Sequence, residues 1–261
     1  MKKLCILLFL ILLCTGAYAR TNVMVMNSAT GAPPGVASYV LFWCGWEGTW
    51  SSPTYTMGAN DHSEGDTTGT AASSCIVNTD DPAVGSKYLD APSALDYMEF
   101  TPASNNIWAT DQGNVAFWFK ADTWTAGTDF FKAQDAGGTN YMRVIQRVSE
   151  ELRVIINATG SDVTWTSTDF NYDTSGDPYV FIEIVWNATA DTVYVYVDNV
   201  SLTISEGNSQ AFDAFASGDI TLIHFGGPGS SGSDFHQDNH MIFDDSSQRA
   251  YSVRNNAAPP S

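Results

Sequence analysis

Short runs of alternating apolar and polar residues recur along this chain, and each is stopped by turn chemistry. An alternation of period two turns successive side chains to opposite faces, so such a run folds as a half-buried strand. The clearest runs are NVAFWFK (114–120), NYMRVIQ (140–146), ELRVII (151–156), YVFIEIVW (179–186), TVYVYVD (192–198) and DITLIHF (219–225). Weaker ones cover 39–43, 95–100, 128–133, 162–166 and 238–243. Between them stand Ala136-Gly-Gly, Ala158-Thr-Gly, Ser175-Gly-Asp-Pro, Asn187-Ala-Thr-Ala-Asp and Gly226-Gly-Pro-Gly, where glycine, proline and Asx residues supply turn conformations. Long runs of helical period are missing and no internal repeat is evident, so the pattern predicts an all-β domain, an antiparallel two-sheet β-sandwich or jelly roll. With 44% hydrophobic and 15% charged residues, the chain can build a core.

The ends carry a different message. Lys2 and Lys3, the apolar run Leu4 to Leu13 and Ala17-Tyr18-Ala19 read as a basic segment, a hydrophobic segment and a cleavage site, which predicts a secretory signal peptide over 1–19. The apolar run is too short for a hydrocarbon layer of about 30 Å. Acylation at Cys14 is the alternative, although Leu13 stands where a small residue is expected. Residues 20–34 form a lead-in, 35–254 the domain and 255–261 a polar, Pro-rich tail. No other segment reads as transmembrane. Export to an oxidising compartment leaves Cys44 and Cys75, an even pair expected to bridge and to tie down the Gly/Ser/Thr-rich stretch 45–81 as a long ordered loop. Such a bridge would contribute about 3–4 kcal/mol in the chain-entropy picture. Two buried free thiols are the alternative. Three Asn-x-Thr/Ser sequons, at 157, 187 and 199, matter only in a glycosylating host. With 29 acids against 11 Lys and Arg, the net charge is -18, which argues against nucleic acid and anionic membrane surfaces as partners.

Three pieces in order carry a family resemblance. They are LDYMEF followed by GNVAFWFKAD (95–122), then VFIEIVWNATADTVYVYVDNVSL, then ITLIHFGGPGSSGSDFHQDNHMIFDD. This order resembles the laminin G-like, concanavalin A-like jelly rolls across roughly residues 35–254. The resemblance implies two curved antiparallel sheets, secretion, carbohydrate or glycoprotein recognition and a structural calcium. Fold alone does not choose among lectin, adhesion module and enzyme.

Candidate sites follow from both sources. In the families resembled, the first and last strands lie side by side; Glu47 after the first and Asp238 opening the last would then meet as calcium ligands, with loop carbonyls completing an oxygen shell. The acidic segment Asn60 to Asp66 is a weaker candidate without EF-hand spacing. His236 and His240, four apart, lack the helical setting of a zinc motif; on a strand, 236, 238 and 240 would share a face. For sugar, the non-core face of 179–186 and 192–198 offers Glu183, Tyr194 and Tyr196, with Arg143 and Arg153 nearby if their strands are adjacent. Arginines there suit a uronate or sulfated sugar. Trp50, with Trp46, Tyr55, Trp108, Trp124 and Trp165 near loops, could stack on sugar rings or simply fill the core. No paired-carboxylate glycosidase run, Gln-Ile-His lyase strand, G-x-S-x-G or phosphate-loop motif is found, so the chain leans toward a non-catalytic module. Tyr141, Arg143 and His224 are the residues a lyase of new type would use. The expected function is thus extracellular binding of a polysaccharide or glycoconjugate with calcium support. The alternatives are an adhesion module with a protein partner and a polysaccharide lyase or hydrolase.

Overall fold

The computed structural model describes residues 40–250, apart from 60, 64–66, 94, 102–107, 109–110, 173–178, 208–209, 217–218, 228–233 and 248. The expected signal peptide, lead-in and tail lie outside the described residues, as do parts of the 60–66, 226–234 and 246–254 segments.

The strands are β1 (Val40–Cys44), β2 (Thr49–Ser51), β3 (Thr54–Thr56), β4 (His62–Ser63), β5 (Thr68–Ala72), β6 (Ile76–Asn78), β7 (Tyr88–Ala91), β8 (Tyr97–Phe100), β9 (Gln112–Ala121) and β10 (Asp129–Gln134). They continue with β11 (Tyr141–Gln146), β12 (Leu152–Asn157), β13 (Val163–Ser167), β14 (Val180–Asn187), β15 (Thr192–Val197), β16 (Val200–Ser201), β17 (Ile204–Glu206), β18 (Leu222–Gly226) and β19 (Phe235–Phe243). They form two sheets. The first runs β16-β15-β14-β9-β19-β1-β4, with β7 also on β19 and β6 beyond β7; the second runs β17-β13-β12-β11-β10-β18-β8-β5-β3-β2. The pairings are antiparallel, giving the β-sandwich the alternation predicts. No helix among the described residues is long and apolar enough to cross a membrane.

The core sits between the sheets. Val115, Phe117 and Phe119 of β9, Ile182, Ile184 and Trp186 of β14, and Val193, Val195 and Val197 of β15 face Phe131, Met142, Val144, Leu152, Val154 and Ile156 of the second sheet. Trp108 stacks on Trp186 at 5.0 Å. The opposite face of the first sheet is covered too: Ala116, Trp118, Phe181, Met241 and Phe243 form a second apolar cluster with Ala83 and Ala250. That second layer explains why β9 and β14 are apolar on both faces rather than strictly alternating.

Two expectations are corrected here. Residues 45–81 are not a loop but carry β2 to β6, short strands that extend the second sheet past β8 as β5, β3 and β2 and border the first as β4 and β6, and that supply little apolar alternation of their own. Cys44 and Cys75 do not bridge: both are free and buried. Cys44 lies beside Tyr55 and Asp61, whereas Cys75 lies near Asp90 and Asp96, so the two thiols face different surroundings. Burial, the largest cause, pushes both well above the ordinary thiol range, which leaves them unreactive.

Candidate functional site

The register of the second sheet places one polar row across its outer face. Thr70 of β5 stands opposite Glu99 of β8, Glu99 opposite His224 of β18, His224 opposite Lys132 of β10, and Lys132 opposite Arg143 of β11. Alternation does the rest: Met98, Ile223, Phe225, Ala133, Met142 and Val144 point inward, so the residues between them must point out. Tyr97 and Tyr141 lie on the same face as their neighbours Glu99 and Arg143.

The side chains within this row are ordered by one another. His224 Nε2 lies 2.8 Å from Glu99 Oε2, and the Tyr97 ring packs on the imidazole at 4.4 Å. His224 is 4% exposed and its Nδ1 has no hydrogen-bond partner. Burial is the larger influence on His224 and lowers its pKa, against the pull of Glu99, so the ring is neutral at pH 7. Arg143 Nη2 pairs with the buried carboxylate of Asp129 at 3.0 Å. Lys132 Nζ lies over the Tyr141 ring, 5.6 Å from its centroid, and among the described residues it makes no ion pair. Desolvation lowers the Lys132 pKa and the Arg143 charge adds to that, against the opposing pull of Asp129 and, more weakly, Asp135. One row away, Arg153 donates to Thr166 Oγ1 at 3.0 Å and to Glu206 at 2.9 Å. Outside the strands of this sheet, Lys87 is engaged by the Glu47 and Gly48 carbonyls, Lys120 by Asp81 and Arg249 by Glu183, while the Nε of Arg147 is buried without a partner. A strongly acidic molecule thus gathers Lys132, Arg143 and Arg153 on one sheet face, and of these three only Lys132 makes no ion pair among the described residues.

The sequence expectation for the sugar platform is corrected by this topology. Tyr194, Tyr196 and Glu183 belong to the first sheet, on the opposite side of the sandwich from Arg143 and Arg153. Glu183 is fully buried and accepts from Asn114 Nδ2, from Arg249 Nε at 2.8 Å and from the Ala250 N–H at 2.6 Å. The Arg249 guanidinium covers the Tyr196 ring at 3.3 Å. Of that set only Tyr194, 47% exposed, faces solvent freely. Trp50 is a half-buried edge residue packed on the core, and Trp46, Tyr55, Trp108 and Trp165 are core residues. Lys132, Glu99 and Tyr97 escaped the sequence reading. The signal was available in the alternation KAQ and YMEF, but not the knowledge that β10, β18 and β8 are neighbours.

Glu47 and Asp238 come to one turn. Glu47 accepts from the Ser86 N–H and Oγ, both at 2.6 Å, and from the Lys87 N–H at 3.1 Å. Asp238 Oδ2 accepts from the Val84 N–H at 2.8 Å. The reason lies in β19, whose far edge pairs with β7 over 235–237 and with β1 over 240–243; Asp238 sits in the gap between them. Gly85, between the two anchor points, has φ +73°, and a Cβ there would stand 2.2 Å from Glu47 Oε1. Asp238 is fully buried, and its Oδ1, like Asn239 Oδ1, has no partner. Burial first, and the Glu47 charge after it, push the Asp238 carboxyl well above the usual range. An orphaned carboxylate oxygen beside a second acid and a tight glycine turn fits an oxygen-loving cation.

The His pair expected to share a face does not. The pairing of β19 with β9 slips between Asp238 and Met241, and Asn239 has φ 51°, the mark of a bulge. His236 therefore stays outside while His240 turns into the core.

No protein-family model matches this chain, and neither does any curated protein. Solved structures do resemble its fold. The cellulose induced protein Cip1 aligns with a TM-score of 0.50 and 15% identity over 78% of this chain and 97% of its own. The botulinum neurotoxin serotype D binding domain aligns with 0.55 and 12% identity over 77% of this chain and 49% of its own. The binding domain of botulinum neurotoxin DC, solved in complex with SialylT, aligns with 0.52 and 12% identity over 80% and 50%. The chain spans about half the length of these toxin domains. At such identities the likeness concerns the fold, a β-sandwich that those proteins also use.

Proposed function

We propose that this chain is a secreted carbohydrate-binding module that takes an acidic extracellular polysaccharide or glycoconjugate on the outer face of the second sheet. The observation that carries the reading is Lys132: a partly buried ammonium that makes no ion pair among the described residues, flanked by Arg143 and by neutral His224, in a chain of net charge -18. An ammonium and a guanidinium side by side select a carboxylate or sulfate, and Tyr97 and Tyr141 give aromatic faces for a sugar ring. A β-sandwich neighbour solved with SialylT, and one described as cellulose induced, are compatible with a glycan partner. Glu47 and Asp238 are the residues to hold a structural calcium. The ion would satisfy the orphaned Asp238 oxygen and fasten β1, β19 and the 84–87 turn together.

One observation favours a second reading, a polysaccharide lyase. The neutral His224, with no partner on Nδ1 and Lys132 opposite it, has parts of a uronate β-elimination: the cation would neutralise the carboxylate, and the imidazole would take the proton from the carbon bearing it and return it to the glycosidic oxygen as that C–O bond breaks.

The test is a polysaccharide array probed with residues 20–261 in calcium and again in EDTA. The proposal expects binding to acidic glycans and not to neutral ones, a lower unfolding temperature in EDTA, and no unsaturated uronate product. Product formation would favour the lyase. No glycan bound in calcium would overturn the proposal and leave a protein partner.

A further inference from the structure

On the other side of the sandwich, at the start of β19, the strands converge on a cluster that the proposed function does not use. Asp90 of β7 stands directly opposite His236 of β19, and Asp234 lies two residues before His236, so all three share the outer side of the first sheet. One ring nitrogen of His236 and one carboxylate oxygen from each of Asp90 and Asp234 lie within 4.8 Å of one another. The three are partly buried rather than free on the surface.

Each is held in place from behind. Asn78 Nδ2 donates to Asp90 Oδ2 at 3.1 Å. The backbone of Asp234 is fastened to the 122–123 turn: its N–H donates to Thr123 Oγ1 at 3.0 Å and its carbonyl accepts from the Asp122 N–H at 2.9 Å. The Tyr88 ring packs on the His236 imidazole at 4.6 Å. A second, independent observation comes from His236 itself. Its Nδ1 is buried and has no hydrogen-bond partner; the carboxylate oxygen of Asp81 stands 3.6 Å away, outside bonding range. Asp81 is already engaged by Lys120, at 2.5 Å, and Asp122 lies 3.9 Å from His236 Nε2. Asp81, Asp90, Asp122 and Asp234 thus stand around the imidazole, and none of them accepts a hydrogen bond from Nδ1.

We propose that Asp90, Asp234 and His236 form a binding site for a divalent transition-metal ion, with zinc the ion their donors suit best. One imidazole nitrogen and two carboxylate oxygens match zinc, which takes tetrahedral N/O sets, and leave a fourth position to water. Calcium and magnesium prefer shells made of oxygen alone and discriminate against the nitrogen. The ion would bridge β7, β19 and the 122–123 turn, and its charge would relieve the crowding of Asp90, Asp122 and Asp234. The site shares no residue with the Glu47–Asp238 junction, two residues further along β19, or with the polar row of the second sheet.

The test is isothermal titration of the full chain with zinc chloride in excess calcium, which fills any all-oxygen site first. The proposal expects one zinc per chain, with affinity lowered more than about tenfold in both His236→Gln and Asp90→Asn, and unchanged in His224→Gln. Asp90→Asn keeps an oxygen to accept from Asn78, so it reports on the site without disturbing the Tyr88 stack. No uptake by the unsubstituted chain, full affinity in either variant, or an equal loss in His224→Gln would each overturn the proposal.

Discussion

His240 occupies the aromatic centre of the sandwich, 4.1 Å from Phe225 and 5.4 Å from Phe117, ring centroid to ring centroid. Its nitrogens are fully engaged: Trp46 Nε1 donates to Nδ1 at 3.1 Å, and Nε2 then carries the proton and donates to Gln237 Oε1 at 3.1 Å. Gln237 passes the relay on to the Phe130 carbonyl at 2.7 Å. Protonation would require Nδ1 to give up the indole, and burial already holds the ring well below its ordinary 6.5. The unfolded chain takes up a proton as pH falls through 6.5 and the native chain does not, so His240 lowers stability progressively below that pH. Asp238, whose carboxyl is raised, works in the opposite sense by binding its proton more readily when folded. A nuclear magnetic resonance titration separates the two: the His240 imidazole signals should stay at their neutral positions through pH 6.5. A His240 midpoint near 6.5 would contradict this assignment. None of this was visible in D-F-H-Q-D-N-H, because strict alternation puts 236, 238 and 240 on one face. The single hint is Asn239, a residue that tolerates positive φ, and only the pairing partners of β19 show that the bulge falls there.

At the scale of elements, the strands with strong alternation were legible: the runs at 114–120, 140–146, 151–156, 179–186 and 192–198 are β9, β11, β12, β14 and β15 within a residue or two. Those built from Thr, Ser and Gly were not, since β2 to β6 draw their stability from pairing with their neighbours and from Tyr55 and Val77 reaching the core, not from their own pattern. The face of β14 was divided correctly between core and non-core, but the non-core side proved to be covered. The 246–250 segment lies over it: Ser246 Oγ donates to Gln112 at 2.8 Å, and Arg249 and Ala250 both bind Glu183. Removing Arg249 would leave the fully buried Glu183 charge with amide donors alone. Arg249→Ala should therefore cost about 2–3 kcal/mol, somewhat under the range for a fully buried pair because the guanidinium is partly solvated. Adding Glu183→Gln to it should recover part of that loss. Urea denaturation of the single and double variants measures both. A single-variant change within about 0.5 kcal/mol, the usual effect of a surface substitution, would show that the segment does not clamp the sheet.

For the whole molecule, the informative feature is where few positive charges go in a chain with 11 Lys and Arg. Composition gives the excess of acid but not its distribution, and Arg143 and Arg153 were placed beside the wrong sheet because sequence does not say which strands are neighbours. Once β8, β18, β10 and β11 are seen side by side, Glu99, His224, Lys132 and Arg143 become one row, with Lys132 its unpaired cation. Long-range repulsion by the acidic surface works against anionic ligands, so recognition there has to come from short-range contacts and should strengthen, not weaken, as salt screens the rest of the molecule. The most direct measurement is calorimetric titration with a matched pair of oligosaccharides, one bearing uronates and the other the same chain with each carboxylate reduced to the alcohol. Acidic-sugar binding at Lys132 predicts affinity for the uronate chain alone, falling about tenfold or more in Lys132→Met while the fold, read by the unfolding midpoint, is kept. Equal binding of both sugars, or a Lys132→Met variant that binds as the unsubstituted chain does, would contradict it.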